Sequence, residues 1–380
     1  MSNPSAEEMR THIAKLLAQK RNYRQEVREL TERYPYVVFY GCGAILNSIV
    51  ESWDEHVGRK IDYCCDSDSG KWGKFFCGAK CLSPNELMAI KDKCVVFVTI
   101  GDFKPVYNFL KESGFPSVNQ LYKYDLAASE FLANHDQEEV MAKLCETYEL
   151  LGDQRSQKVF DAIVTRVLGD GSNIDIMLNV CEKNQYFPPD LIKLSDHERL
   201  VDIGAFNGDT IRDFVGRTKG RFDRIFSFEV DAINFKALQE NVRQMPEQSR
   251  IKIFNLGIWD SECDITYSIS ESQSTVGSGN GKGHAVPLDN VLRDEKVTFI
   301  KMDIEGAELQ ALRGTRNIIQ FQKPKLAICI YHGFRHLWEV PLYIKELAPE
   351  YKIYLRHHTT LEYETVCYAV SSIKEKHHAD

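Results

Sequence analysis

Short apolar runs alternate with amphipathic segments along most of the chain. Runs such as YVVFY at 36–40 and CVVFVTIG at 94–101 have the length of buried strands, and the segments between such runs carry apolar residues at helical spacing. Strands that alternate with helices predict parallel sheets covered by helices on both faces. The pattern therefore predicts an α/β fold.

The alternation occurs twice, with one interruption. A first set of strands and helices ends near residue 125, and a second set begins with RLVDIGAF at 199–206. The residues between them are mainly helical in periodicity. A chain of 380 residues, at roughly 150 residues per domain, has room for two domains and a connector. We predict a Rossmann-like domain with an N-terminal helix at 1–125, a helical connector at 126–198 and a second Rossmann-like domain at 199–380.

Three local patterns add detail to this division. Residues 6–33 mix charged and apolar positions without Gly or Pro, which predicts one long solvated helix. ESQSTVGSGNGKGH at 271–284 is rich in Ser and Gly and predicts a mobile loop that could act as a lid. KIYLRHHT at 352–359 and ETVCYAVS at 364–371 lie so close in sequence that they predict an antiparallel pair.

Composition excludes several classes of protein. The net charge of −8 gives no electrostatic reason for nucleic acid to be the main substrate. The apolar runs are far shorter than the roughly 18 residues that a membrane span needs. The acidic N-terminus, with Glu7 and Glu8, is unlike a secretory signal, and an odd count of 11 cysteines does not suit a disulfide framework. We therefore expect a cytoplasmic protein.

The segment VDIGAFNGDT at 201–210 is the first motif that indicates chemistry. It is a strand that runs into a glycine-containing turn and a helix, where the backbone can approach a ligand closely and the helix offers free N–H groups. Glu229 ends the next strand, where a carboxylate can accept hydrogen bonds from both ribose hydroxyls. Together they favour a cofactor that contains a nucleoside, although a plain strand-to-helix turn stays open as an alternative.

A second motif, VTFIKMDIEGAELQALRG at 297–314, concentrates acids at the end of a strand. Asp303 and Glu305 follow the strand directly, and Glu308 begins the helix behind Gly306. Burying carboxylates without a partner or a ligand is costly. These acids are therefore expected to face a cleft.

These residues resemble a known family, the FkbM-type S-adenosylmethionine-dependent methyltransferases, over about 199–332. The resemblance is carried, in order, by VDIGAFNGDT, FSFEVDAINFKALQENV, VPLDNVL, FIKMDIEGAELQALRG and LAICIYH. It implies a seven-strand class I methyltransferase sheet, S-adenosylmethionine as methyl donor, and O-methylation of a sugar, glycan or related small molecule. Two positions depart from the family pattern: Phe206 stands where many members have Asn, and Val230 where Pro is usual.

The resemblance also implies roles for individual residues. Asp202, Gly204 and Gly208 would line the methionine and ribose part of the cofactor, and Glu229 would hold the ribose hydroxyls. Asp303 would lie beside the sulfonium, while Glu305 and Glu308 occupy the acids of the family's D-x-E-G-x-E pattern. The predicted cofactor-binding set is Asp202, Gly204, Ala205, Phe206, Gly208, Asp209, Thr210, Glu229, Val230 and Asp303.

The predicted catalytic residues are Asp303, His332 and Glu305. The fourth and fifth strands of a methyltransferase sheet are neighbours, so Asp303 and His332 can share one cleft, and His332 is the preferred general base. A merely hydrogen-bonded histidine is the alternative. Asp303 and Glu305 with His332 or His357 could also bind Mg²⁺ or a similar ion. No ligand motif of fixed spacing supports that site, so no resident metal is predicted and a divalent ion remains the lesser alternative.

The first domain is harder to interpret. Gly41 and Gly43 begin a dinucleotide fingerprint, but Leu46 stands where its third glycine belongs. A role in binding a nucleotide-linked acceptor and a structural or dimerising role both stay open. Two other functions compete with O-methylation: a nicotinamide-dependent sugar oxidoreductase that uses this domain, and a non-catalytic glycan-binding or scaffold protein that keeps the cofactor fold.

Overall fold

A computed structural model describes residues 4–19, 23–101, 103–120, 132, 134–169, 176–269, 274–276, 281–361 and 363–371. The described strands form three sheets, of six, seven and four strands. Mixed α/β layers of this kind confirm the predicted fold class. None of the helices in the described ranges is long and apolar enough to cross a lipid bilayer.

The first sheet is mostly parallel. Its strands are β1 (Tyr36–Tyr40), β2 (Tyr63–Cys65), β3 (Phe75–Phe76), β4 (Ala79–Leu82), β5 (Cys94–Val98) and β6 (Ser117–Gln120), in the order β3-β4-β2-β1-β5-β6. The helices in this part of the chain are Tyr23–Glu32, Ala44–His56, Pro84–Ala89 and Lys104–Glu112. Apolar cores lie on both faces, as the alternation along β2 shows: Cys64 belongs to one core and Cys65 to the other.

The second sheet has seven strands and positions the site. These are β7 (Arg199–Ile203), β8 (Arg224–Phe228), β9 (Ile251–Phe254), β14 (Phe299–Met302), β15 (Lys325–Cys329), β16 (Tyr351–His357) and β17 (Thr365–Ser371), in the order β16-β17-β15-β14-β7-β8-β9. Only β17 runs antiparallel to its neighbours, β15 and β16. The predicted seven-strand sheet is therefore confirmed, and the structure has the predicted antiparallel pair at its edge.

Six α-helices lie among the described residues of the second half of the chain. They are Asp209–Thr218, Ala232–Arg243, Leu288–Val291, Glu308–Arg313, Arg316–Gln322 and His336–Leu347. A parallel sheet needs such cover because both of its faces are apolar. Two large cores result, and each contains residues from β7, β14 and β15.

A small third sheet is inserted between β9 and β14. Its strands are β10 (Gly257–Ile258), β11 (Cys263–Ile269), β12 (Ser274–Val276) and β13 (Gly281–Val286), in the order β10-β13-β11-β12. Half of the Ser- and Gly-rich segment that predicts a mobile lid lies outside the described residues. Its described parts, 274–276 and 281–284, belong to strands.

The N-terminal segment differs from the single solvated helix that its sequence predicts. The structure has two helices there, Ala6–Ala18 and Tyr23–Glu32. In the first, Met9, Ile13 and Leu16 are buried against the helices Gln137–Leu150 and Gln154–Leu168. The prediction was wrong because the few apolar residues recur every three or four positions and form one continuous stripe, which a partner surface can cover.

The connector is attached to the edge of the second sheet. The amide of Gly152 donates to the carbonyl of Ile353 on β16, at 2.7 Å. The buried guanidinium of Arg356, also on β16, donates to Asp153 at 2.7 Å and to Asp190 at 2.8 Å. Since Ala6–Ala18 packs on the same connector helices, this first helix lies with the second half of the chain. The predicted domain boundaries themselves stay a prediction.

Truncation of Ile13 tests this packing. Ile13→Ala removes a fully buried side chain between three helices and should lower the free energy of unfolding by about 2–5 kcal/mol. Urea unfolding followed by circular dichroism measures the change. Lys15→Ala, on the exposed face of the same helix, is the matched control and should have little effect. Equal stability of the two variants would contradict the packing described here.

Candidate active site

A pocket of about 370 Å³ opens at the carboxyl edge of the second sheet. This is the edge at which open α/β sheets bind ligands, and the volume lies in the range of roughly 300–1,000 Å³ that is typical of small-molecule sites. Its wall is built from the ends of β7, β8 and β14 together with β10. The polar residues of the wall are Gln185, Tyr186, Asp209, Thr210, Glu229, Asn234, Lys301, Asp303, Glu305, Tyr331 and Glu364.

The turn after β7 brings the backbone close to the end of β14. Gly204 has a φ of +78°, and a Cβ atom there would lie 1.9 Å from the carbonyl oxygen of Asp303. Only glycine fits this conformation and this distance. Phe206 also has a positive φ, +47°, which is costly for a residue with a side chain. Gly208 then starts the helix Asp209–Thr218 with a φ of +84°.

Glu229 supports the same turn from the end of β8. Its carboxylate accepts a hydrogen bond from the amide of Phe206 at 2.8 Å and one from the amide of Asp231 at 2.8 Å. Burial raises the pKa of Glu229 to about 7, although the two amide donors act in the opposite direction. Glu229 lines the pocket, and its carboxylate has lone pairs left that can accept hydrogen bonds from hydroxyl groups.

A buried ion pair lies beneath the pocket. Lys301 Nζ is 3.1 Å from Asp202 Oδ1, and the two side chains are 3% and 0% exposed. The same ammonium donates to the carbonyl oxygen of Gly204 at 2.7 Å. Burial by itself lowers the pKa of Lys301, but Asp202 and Asp303 raise it above its ordinary value. Lys301 is therefore a fixed cation that joins β14 to the glycine turn.

Asp303 is held by two tyrosine hydroxyls. Tyr186 donates to Oδ2 at 2.7 Å and Tyr331 donates to Oδ1 at 3.1 Å. Burial raises the pKa of both phenols, so both keep their protons. Burial also raises the pKa of Asp303, but the charges of His332 and Lys301 outweigh it and leave that pKa below its ordinary value. Asp303 is thus an oriented carboxylate in the wall of the pocket.

His332 lies behind the wall, between three carboxylates. Its Nδ1 is 2.8 Å from Glu308 Oε1, and its Nε2 is 3.4 Å from both Asp303 Oδ1 and Glu305 Oε2. Burial by itself lowers the pKa of His332, but Glu308, Glu305 and Asp303 raise it to about 10. A protonated imidazole cannot accept a proton from a substrate, so this arrangement does not favour the predicted role as base.

Glu364 reaches the pocket from the start of β17. Because β17 is antiparallel, its first residues lie beside the carboxyl end of β15, where Val366 pairs with Cys329. The side-chain amide of Gln185 donates to the carboxylate of Glu364. Burial raises the pKa of Glu364, and the charge of Asp303 raises it further. The pocket therefore holds a third carboxylate on the side of Asp303 and Glu305.

The structure brings most of the predicted site residues to one pocket. The wall contains Gly204, Phe206, Asp209, Thr210, Glu229, Val230, Asp303 and Glu305. The predicted residues outside the wall are Asp202, Ala205, Gly208 and His332, which support it from behind. His357, the alternative metal ligand, is fully buried, and its Nδ1 lies 2.8 Å from Thr365 Oγ1. Cofactor contact by the individual residues stays a prediction.

Six polar residues of the wall were not expected from the sequence: Gln185, Tyr186, Asn234, Lys301, Tyr331 and Glu364. Lys301 carried a signal, because a lysine in the middle of the apolar strand FIKM requires a buried partner. Tyr331 stands directly before His332 and follows the end of β15. Gln185 and Tyr186 come from an irregular stretch of the connector, for which periodicity gives no guidance.

Sheet order and pocket together define a Rossmann-like methyltransferase fold. Residues 202–359 match the family model described as Methyltransferase FkbM domain. Over these residues the chain is similar to FkbM-type methyltransferases, and S-adenosylmethionine is its cofactor. The proposed resemblance is confirmed. No curated protein matches the chain at a significant level.

The chain is also similar to solved structures. Methyltransferase FkbM from Methylobacillus flagellatus KT is 23% identical, with a TM-score of 0.76 over 96% of this chain and 100% of its own. A putative rRNA-methylase from Clostridium thermocellum is 12% identical, with a TM-score of 0.30 over 53% of this chain and 95% of its own. A putative methyltransferase from Streptococcus mutans, solved with S-adenosylhomocysteine, is 13% identical, with a TM-score of 0.30 over 52% and 94%.

Substitution of Lys301 tests the ion pair beneath the pocket. Lys301→Met leaves the carboxylate of Asp202 buried without its cation, which should lower the free energy of unfolding by about 3–5 kcal/mol. The double variant Lys301→Met/Asp202→Leu removes both charges and should recover much of that loss. Urea unfolding of the wild type, the single variant and the double variant measures these free energies of unfolding. A double variant no more stable than the single one would show that the pair is not coupled as described.

Glu229 should make cofactor affinity depend on pH. Its pKa of about 7 means that the carboxyl group takes up a proton below that pH and loses acceptor capacity for the ribose hydroxyls. The Kd of S-adenosylhomocysteine should therefore rise as the pH falls below about 7, by at most about tenfold per pH unit. Isothermal titration calorimetry at several values between about pH 6 and 8 measures this Kd.

Two variants accompany this titration. Glu229→Gln should weaken binding by about 1.5–3 kcal/mol for each charge-assisted hydrogen bond lost and should leave a flat pH profile. Glu240→Gln, on the exposed side of the next helix, should behave like the wild type. A wild-type affinity that does not change with pH, or a Glu229→Gln profile that still slopes, would remove Glu229 from the ribose site.

Proposed function

We propose that the chain is an O-methyltransferase that transfers the methyl group of S-adenosylmethionine to a hydroxyl of a sugar, glycan or related small molecule. The observation that carries the proposal is the division of the pocket into two polar ends. Glu229 lies at one end, beyond β8, and the carboxylates of Asp303, Glu305 and Glu364 lie at the other, beyond β14 and at the start of β17.

The end beside Glu229 suits the adenosine part of the cofactor. The glycine turn leaves room for a ligand close to the backbone, and the carboxylate of Glu229 is already oriented by two amide donors. Apolar residues of β8 and the third sheet, among them Phe228, Ile258 and Ile265, complete the wall there. A ribose between a carboxylate and an apolar wall is the arrangement that dinucleotide-binding folds also use.

The other end suits a hydroxylated acceptor. Carboxylate, amide and phenol groups are the partners that bind sugar hydroxyls through hydrogen bonds, and Asp303, Gln185 and Tyr331 supply all three types. An acceptor held there lies beside the transferred methyl group when the cofactor extends from Glu229 toward Asp303. Holding two reactants in line removes most of the entropic barrier of a bimolecular reaction.

The reaction is a single displacement. A lone pair of the acceptor oxygen forms the new O–C bond while the C–S bond breaks, and the electron pair of that bond stays on sulfur, which leaves neutral S-adenosylhomocysteine. The hydroxyl proton goes to a carboxylate. Glu364 supports this role best among the carboxylates of the wall, because burial favours its protonated form and the amide of Gln185 holds it in place. Asp303 and Glu305 would orient the hydroxyl, and His332 would orient those two acids.

The first sheet supports a nicotinamide-dependent oxidoreductase less well. Leu46 is fully buried at the place of the third fingerprint glycine. The carboxylate of Asp66 already accepts hydrogen bonds from the amide of Cys42 and from Lys71, both at 2.8 Å. The acid that would bind a ribose there is therefore engaged by the protein itself. The cytoplasmic location, a nucleotide-linked acceptor and homo-oligomers stay predictions.

The atom that receives the methyl group is the direct test. Purified protein is incubated with S-adenosylmethionine carrying a ¹³C-methyl group and with a small-molecule and glycan extract of source cells that lack the enzyme. The new methyl signal in a proton–carbon correlation spectrum should have the shift of an O-methyl group. Glu364→Gln should lower the rate by about 10²–10⁴-fold and leave the affinity for S-adenosylhomocysteine unchanged.

The outcomes separate binding from chemistry. Glu262→Gln, at an exposed position directly before β11, is the control and should transfer at the wild-type rate. An N-methyl or C-methyl signal would overturn the choice of oxygen as acceptor atom. A normal rate for Glu364→Gln would move the base role to Asp303 or Glu305, and no binding of S-adenosylhomocysteine would contradict the assigned pocket.

A further inference from the structure

We propose that Asp303, Glu305 and His332 form a binding site for one divalent cation of the Mg²⁺ and Mn²⁺ class at the acceptor end of the pocket. The site combines two carboxylates from the turn after β14 with an imidazole that follows β15. Binding of the ion does not depend on the proposed function, whereas its use in methyl transfer rests on it.

The three ligand groups converge on one point. A carboxylate oxygen of each acid and a ring nitrogen of His332 all lie within 4.8 Å of one another. His332 Nε2 is 3.4 Å from Asp303 Oδ1 and 3.4 Å from Glu305 Oε2. Neighbouring ligands of an octahedral ion with bonds of about 2.1 Å are about 3 Å apart. The spacing therefore needs only small adjustments of side chains to enclose an ion.

The orientation of His332 is a second, independent observation. Its side chain is 2% exposed, and among the described residues neither ring nitrogen has a hydrogen-bond partner, although Nε2 is aimed at two carboxylates. Its Nδ1 lies 2.8 Å from Glu308. A carboxylate behind Nδ1 keeps a proton on that nitrogen, so an ion that binds Nε2 has to displace only the second ring proton. A carboxylate in this position is the usual support of a metal-binding histidine.

Glu308 is itself fixed for this supporting role. It is fully buried at the start of the helix Glu308–Arg313. Its carboxylate accepts hydrogen bonds from the amides of Ile304 at 3.0 Å and Gly306 at 3.1 Å. These amides belong to the same turn as Asp303 and Glu305, so one loop carries two ligands and the support of the third. Glu305 adopts a positive φ of +55° within this loop.

The charges of the region also favour a cation. Asp303, Glu305, Glu308 and Glu364 bring four carboxyl groups to one end of the pocket and its rear wall. Lys301, the buried ammonium of β14, is paired with Asp202 at 3.1 Å. His332 and Lys301 supply part of the compensating charge that carboxylates out of contact with water need, and a divalent ion that replaces the Nε2 proton of His332 would supply more of it.

The ligand types indicate the class of ion. Two carboxylates with one imidazole suit Mg²⁺ or Mn²⁺, and the nitrogen ligand favours Mn²⁺ of the two. Since Asp303 and Glu305 line the pocket, open coordination positions would face the acceptor. An ion there could bind the acceptor hydroxyl and lower its pKa before methyl transfer.

Manganese binding to the full chain tests the site directly. The protein is freed of metal with a chelator, dialysed and titrated with Mn²⁺, and bound Mn²⁺ is measured by electron paramagnetic resonance. We expect one Mn²⁺ per chain, displaced by Mg²⁺, with an electron spin echo modulation from the imidazole nitrogen. Absence of bound Mn²⁺ at millimolar concentration, or bound Mn²⁺ without nitrogen modulation, would overturn the site.

Matched variants assign the ligands. His332→Gln should abolish the nitrogen modulation and weaken Mn²⁺ binding at least about tenfold, and Glu305→Gln should weaken it without removing the modulation. His284→Gln is the control, because His284 also lies between two acids, Asp264 and Glu262, but on an exposed surface. The His284→Gln variant should bind Mn²⁺ like the wild type. A thermal shift with S-adenosylhomocysteine identifies the variants that fold. If His332→Gln does not fold, the Mn²⁺ affinity of Glu305→Gln tests the metal site instead.

The test of the metal site can be distinguished from the test of the proposed function. Binding of Mn²⁺ without methyl transfer to oxygen would leave the metal site standing and overturn the O-methyltransferase. Transfer at the full rate in excess chelator, together with absence of bound Mn²⁺, would overturn the metal site and leave the O-methyltransferase standing. A folded His332→Gln that binds Mn²⁺ like the wild type would reduce His332 to a cation that balances Asp303, Glu305 and Glu308.

Discussion

The buried pair of Lys301 and Asp202 is the interaction on which the site depends. The two residues are direct partners in the register of β7 and β14, and the ammonium also holds the carbonyl of Gly204. Moving two charges out of water costs several kcal/mol per ion, which only close contacts and further hydrogen bonds can offset. Any shift of one strand against the other would break these contacts. The pair therefore fixes the glycine turn and the acidic turn relative to each other.

The two turns then carry opposite ends of one pocket. Gly204 approaches the carbonyl of Asp303 so closely that no side chain fits between the turns. Glu229 supports the first turn through the amide of Phe206, while Tyr186 and Tyr331 orient Asp303 in the second. Glu229 and Asp303 are thus both held by donors of the protein before any ligand arrives. Such preorganisation is what a site needs to act on developing charge without rearrangement.

The two halves of the chain show how similar openings lead to different sites. Both begin with a strand, a glycine turn and a helix, and in both a carboxylate from the second strand accepts a hydrogen bond from an amide of the turn. In the first half this acid, Asp66, is also paired with Lys71. In the second half, no cation of the described residues is paired with Glu229, which faces a pocket. The fold of the Methylobacillus flagellatus protein covers both halves, so the two sheets occur together beyond this chain.

The sequence by itself determined the strands, the glycine turn and the order of the acidic motifs, because apolar periodicity and glycine requirements act over a few neighbouring residues. It placed Glu229, Asp303 and Glu305 at strand ends that form one edge. Only the tertiary structure decided their partners. Gln185 and Tyr186 come from the connector, and Glu364 reaches the pocket because β17 runs antiparallel.

The same limit explains the two expectations that changed most. The sequence predicts that the helix Ala6–Ala18 is solvated, because its pattern shows an apolar stripe but not the connector helices that cover this stripe. The sequence predicts His332 as a base because it shows the position of this residue after β15. It does not show the three carboxylates that surround the ring. Periodicity fixes which face of an element is apolar. The charge and the proton of a buried group depend on neighbours from distant parts of the chain, and those are set only when the chain has folded.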